Sequence, residues 1–137
     1  MRNDGRQSDR EAIMRAAYRL ISHEGSATGT TTSIENILRA AGVNRRIFYR
    51  HFSCKDDLII AMQEWAGDLI LAGLKKAMAA ADTPAAAVAA WIEDYLSIGW
   101  NEARFRDALA FMSSDVAGAP GIAAALEATY ARHREVL

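Results

Sequence analysis

The stretch Thr31–Lys55, TTSIENILRAAGVNRRIFYRHFSCK, sets two short apolar-periodic segments on either side of one glycine. No other part of the chain limits its fold as tightly. Ile34, Ile37, Leu38 and Ala41 follow the i, i+3, i+4, i+7 spacing of a helix with one buried side. Thr32, with Glu35 three residues on, has the pattern of a capping box at its start. Gly42 supplies the left-handed residue that ends such a helix, and Val43 the apolar plug behind it. Asn44 is a good N-cap for a second helix, Arg45–His51, with Phe48 and Phe52 on its buried side. Two short helices joined by a tight turn predict a helix-turn-helix over about 33–52, whose second helix fits a DNA major groove.

The run Ala41-Gly42-Val43, then Asn44, then Phe48-Tyr49-x-His51-Phe52 and Lys55 resembles the DNA-binding domain of the tetracycline-repressor (TetR, AcrR-type) family of bacterial regulators. That family's pattern reads AGVS-x-G-T-L-Y-x-H-F-x-x-K, and the resemblance covers roughly residues 9–70. Arg46 stands where the family usually has a small residue and Ile47 where it often has Thr or Ser, and the loop Gly25–Thr31 is longer than usual. The resemblance implies an all-α fold. An N-terminal three-helix helix-turn-helix domain is joined by a long helix to a C-terminal helical ligand-binding and dimerisation domain. It also implies a transcriptional repressor, released from a pseudo-palindromic DNA operator by a small apolar effector and acting as a homodimer. Family members usually continue for two more long helices, so residues 56–137 are expected to be an effector-binding domain incomplete at its C-terminus, behind a DNA-binding domain at 1–55.

Charge points the same way. The net charge of −1 conceals ten Lys/Arg against five Asp/Glu in residues 1–55, and six against twelve in 56–137. A basic head on an acidic body directs a polyanionic partner to the N-terminal end. Hydrophobic residues make up 51% of the chain, Ala dominates the second half and only 2 Pro occur, which favours helix throughout. The single Cys54 rules out an internal disulfide and fits a reducing cytoplasm. No apolar run reaches the ~18 residues of a membrane span, and the first residues are too polar for a secretory signal.

Along the chain, residues 1–8 read as a mobile arm whose Arg2 and Arg6 can lie on phosphates. A first helix is predicted from Ser8 or Asp9 to Glu24, started by a Ser8/Glu11 capping box, cored by Ile13, Ala16, Ala17, Leu20 and Ile21, and ended by Gly25. Gly25–Thr31 reads as a flexible loop. A long helix follows from Lys55 to about Ala81, then helices at Pro84 to about Trp100, about Ala103–Ser113 and Ile122–Leu137, with Thr83 and Pro84 as a clear start signal.

The candidate base-reading residues are Arg45, Arg46, Ile47 and Arg50. Arginine suits bidentate contact with guanine O6 and N7, although an Arg run is more commonly a solvated face. Phosphate candidates are Thr32, Ser33, Asn44, Tyr49, His51 and Lys55. Thr32 and Ser33 offer hydroxyls at a helix N-terminus, where plain capping is the simpler account. Tyr49 and His51 are phosphate contacts by the resemblance, and His51 can equally be a half-buried packing residue. Effector-pocket candidates are Trp65, Leu69, Trp91, Tyr95, Trp100, Phe105, Phe111 and Met112, against the commoner alternative that such aromatics are core.

An enzyme finds no support in the sequence. There is no Gly-rich phosphate loop after a strand, no metal-spaced His/Cys set and no nucleophile motif, and His23, His51 and His133 are far apart. No metal or other cofactor is implied. A helical adaptor that uses the helix-turn-helix for protein contacts is one alternative, disfavoured by the basic head, and an enzyme whose site is assembled only in space is the other. Cys54 beside Lys55 is a weak redox candidate and a better small turn residue.

Overall fold

The computed structural model describes the backbone of residues 2–28, 32–111 and 114–135, and the side chains of 5–22, 32–106, 108 and 116–135. The described residues form helices and connections only. In chain order these are α1 (Arg2–Thr28), α2 (Ile34–Ala41), α3 (Arg45–His51), α4 (Lys55–Ala79), α5 (Pro84–Leu96), a 3-10 turn (Ser97–Gly99), α6 (Glu102–Phe111), α7 (Ser114–Ala117) and α8 (Ile122–Arg134).

The first helix departs from expectation at both ends. Residues 2–8 are helical rather than an arm, so Ser8 lies inside α1 and does not cap it. The helix also runs through Gly25 to Thr28. Glycine disfavours a helix interior by only about 1 kcal/mol, and extending an existing helix is far easier than nucleating one. The remainder of the expected loop, residues 29–31, lies outside the described residues.

Helix α1 is the hub. Ile13, Met14, Ala16, Ala17 and Ile21 are buried along one side, and α2, α3, α4 and α6 all pack on it. Helix α4 completes that core from the other side with Leu58, Ile59 and Met62, which places the first turns of the long helix inside the head rather than beyond it. Val116, Ala119 and Ile122, from the segment around α7 and the start of α8, join the same cluster. The core is therefore continuous across residue 55. At about 25 cal/mol per Å² of apolar surface, each fully buried Ile or Leu contributes roughly 1.5–3 kcal/mol to it.

Helix α5 starts as predicted, with the Thr83 side-chain oxygen accepting from the Ala86 N–H at 3.1 Å and Pro84 in the first turn. It ends four residues before Trp100, tightening into the 3-10 turn, and α6 begins at Glu102, where the Asn101 side chain accepts from the Arg104 N–H at 3.2 Å. Helix α6 is tied back to α5 by an Arg104–Asp94 ion pair. The short α7 was not anticipated from sequence. The expected last residues of the sixth and eighth helices, 112–113 and 136–137, are outside the described set.

Candidate nucleic-acid interface

The turn between α2 and α3 is locked by backbone hydrogen bonds. Gly42 takes φ +68°, its N–H donates to the Arg39 carbonyl at 3.3 Å, and the Val43 N–H donates to the Leu38 carbonyl at 3.1 Å. This is a Schellman closure, which only a residue tolerant of left-handed φ completes without strain. Asn44 then caps α3, its side-chain oxygen accepting from the Ile47 N–H at 3.0 Å. Phe48 fastens α3 to the body. It is fully buried, packs against Phe52 at 5.6 Å and meets the Tyr49 ring edge-on at 5.2 Å.

With Phe48 inward, the helical period turns the other side of α3 outward. Arg46 and Arg50 lie there and are exposed, and Arg45 in the first turn and Tyr49 are exposed as well. Ile47 differs. It is half-buried and packs against the core.

Among the phosphate candidates, Ser33, Asn44 and Tyr49 are exposed and Lys55 is half-buried at the first position of α4, followed by Asp56 and Asp57. Thr32 needs correction. It is 2% exposed, so its hydroxyl is not offered to a surface ligand. The cap of α2 is Ser33, whose hydroxyl oxygen accepts from the Asn36 N–H at 3.2 Å. The N-cap of α2 thus lies one residue beyond the Thr32 expected from the sequence.

His51 lies on the flank of α3. Its ring is 6.3 Å from that of Phe52, and its Nε2 is shielded from solvent with no hydrogen-bond partner among the described residues. Burial lowers its pKa from the ordinary 6.5, Asp9 opposes this, and the Arg50, Arg10 and Arg6 charges assist it. A neutral packing residue is the role this geometry supports. Beside it a depression of about 310 Å³, lined in part by Arg10, His51, Phe52, Asp57 and Glu64, separates α1, α3 and α4.

Sequence reading missed the partners of these residues. Arg10 of α1 lies over the Phe52 ring at 5.5 Å, a cation–π contact. Glu35 of α2 pairs with Arg45 of α3 across the turn. On α2, Arg39 is exposed and donates to the Asn36 side chain at 3.4 Å. The exposed charge of Arg39 on the same motif was visible in the sequence, whereas the two longer-range contacts carried no local signal.

The effector candidates do not converge as expected. Trp65 stacks edge-on against Tyr18 of α1 at 6.2 Å, so its ring serves the junction of α1 and α4. Trp91 stacks on Tyr95 of its own helix at 5.9 Å. Leu69, Tyr95, Trp100 and Phe105 are each more than half exposed, Trp100 reaching 68%. Helix α5 has no buried residue. The side chains of Phe111 and Met112 lie outside the described residues. Cys54 is exposed at the N-cap of α4 and makes no side-chain cap.

The described residues hold no group of three or more His, Cys, Asp or Glu able to bind a metal, and no helix long and apolar enough to cross a membrane.

A three-helix head in which a Schellman-closed turn presents an arginine-bearing second helix has the geometry of a helix-turn-helix. Residues 13–62 match the family model described as bacterial regulatory proteins, tetR family. The whole fold is similar to the crystal structure of a TetR family transcription regulator from Marinobacter aquaeolei VT8, with a TM-score of 0.71 and 22% identity over 99% of this chain and 69% of that one. No curated protein matches the chain significantly. Residues 13–62 thus match the N-terminal model of the tetR family, and the chain shares the fold of that solved TetR family regulator.

Proposed function

We propose that the protein binds duplex DNA by laying α3 in the major groove, with Arg45, Arg46 and Arg50 toward base edges and neighbouring phosphates. The exposure of these three guanidinium groups on a helix anchored by the buried Phe48 is the observation that carries the reading. Ser33, Asn44, Tyr49 and Lys55 surround them at the ends of α2, α3 and α4, where backbone N–H groups and polar side chains suit phosphate.

The finer reading is a repressor that acts as a homodimer on a pseudo-palindromic operator and leaves it when a small apolar effector binds the body. Two recognition helices must then meet half-sites about 34 Å apart. Support for a transmitted signal comes from α4, which is continuous from Lys55 to Ala79 and packs on α1 in the head and on α5 and α8 in the body. An effector shifts such an equilibrium only by binding the DNA-incompetent state better, with a coupling of about 1–3 kcal/mol in typical cases. Reciprocity requires operator DNA to weaken the effector by the same factor.

Selection of bound duplexes from a random pool tests the reading. Enrichment of inverted repeats with half-site centres about one helical turn apart supports it. Recovery of sequences without a common motif contradicts it.

A further inference from the structure

We propose that Glu35 is the specificity-determining positioning residue of this interface, holding the Arg45 guanidinium in the orientation in which it meets a base pair. The inference rests on the duplex-binding reading above and deepens it. Arg45 is the first residue of α3, where a long side chain has little of the helix around it to restrict its rotamers. Glu35 is in the first turn of α2, and its carboxylate pairs with that guanidinium from the other helix of the motif. Both side chains are exposed, at 62% and 53% for Arg45 and Glu35. Exposed ion pairs add little to stability, so the fold does not depend on this one.

Its placement is what gives it consequence. An unpaired carboxylate beside the recognition helix is repelled by every phosphate that approaches. Paired with Arg45 it is neutralised, and the contact uses one terminal nitrogen, Nη2, of a planar group that carries five N–H donors. The remaining donors keep a fixed direction for a bidentate contact of the kind arginine makes with guanine. Among the described residues Arg46 and Arg50 have no such carboxylate partner, so the restraint singles out the guanidinium nearest the turn.

The experiment measures duplex binding of the full chain, with every base pair of the selected site varied in turn, for the wild type, Glu35→Gln, Arg45→Ala and the double variant. Thermal melts confirm that each variant is folded. Arg45→Ala should flatten the preference at one base pair per half-site. Glu35→Gln should lose about tenfold of the preference at that same base pair, the scale of one good bidentate contact, while its binding to unrelated duplex is no weaker. The double variant should lose no more there than Arg45→Ala alone. Arg45→Lys, which keeps the charge and loses the fork, should flatten the same position.

An unchanged preference in Glu35→Gln overturns the proposal. So does a gain in site affinity with the preference intact, which would mean that Glu35 withholds Arg45 from DNA. A loss at a different base pair overturns it as well. If the wild type shows no sequence preference at all, the duplex-reading proposal itself fails, and that outcome is distinct from the other three.

Discussion

Thr129 of α8 occupies the space that Gly67 leaves on α4: a Cβ at position 67 would lie 2.7 Å from Thr129 Cγ2. The two helices are close enough there for His133 Nε2 to lie 3.5 Å from the Gly67 carbonyl oxygen, while Arg132 pairs with Asp68 at 3.2 Å. Thr129 is buried, and its hydroxyl donates to the Ala125 carbonyl at 3.0 Å, which leaves its methyl group facing α4. Gly67→Ala therefore forces α8 outward. Overpacking of this kind costs about 1–3 kcal/mol, reduced by the better helix propensity of Ala. A denaturant titration should show the loss, and adding Thr129→Ser, which removes the methyl, should recover most of it. Gly67→Ala with wild-type stability would show that the helices are not held this closely.

Gly42 gives a contrasting case. A Cβ there meets no atom within 4 Å, so substitution creates no clash, but φ is +68°. Gly42→Ala should cost about 1–2 kcal/mol from backbone conformation alone. Gly42→Asn should cost less, because Asn tolerates the left-handed region. Equal losses for the two variants would put the cause in packing rather than in φ.

His51 predicts a pH effect of definite sign. Burial holds its pKa below 6.5, with Asp9 opposing and Arg50, Arg10 and Arg6 assisting. The unfolded chain therefore binds the proton more readily than the folded one. The stability due to neutral His51 is complete above about pH 6.5 and is lost as the pH falls through the lowered folded-state pKa. Urea midpoints should drop between pH 7.5 and 5.5, and His51→Gln should show a smaller drop. Identical pH profiles for the two proteins would assign the effect elsewhere.

What the sequence revealed is what local chemistry encodes. Ile34–Ala41, Gly42 and Asn44 specify α2, its left-handed stop and the start of α3 within a dozen residues, and each forms where expected. Thr83-Pro84 does the same for α5. The failures are mostly tertiary. Thr32 and Ser33 are equivalent as caps by type, and only the burial of Thr32 decides between them. Gly25 looks like a stop, yet α1 continues past it. The aromatics of α5 and of the turn after it have the spacing of a core, but spacing does not say whether a neighbour covers that side, and Tyr95 of α5 and Trp100 beyond it are exposed. The Glu35–Arg45 and Arg10–Phe52 contacts join residues from different helices, beyond the reach of any periodicity.

The central claim, that α3 meets duplex DNA through its arginines, is tested most directly by the salt dependence of duplex binding. Each phosphate neutralised on B-DNA adds about 0.9 to the slope of log affinity against log salt. For the wild type, fluorescence anisotropy on a selected duplex should give a slope of several units. The triple replacement of Arg45, Arg46 and Arg50 by Ala should remove both the sequence preference and a large part of that slope, while the melting curve stays cooperative. Affinity that does not change with salt, or a folded triple variant that binds the selected duplex as well as the wild type does, would contradict it.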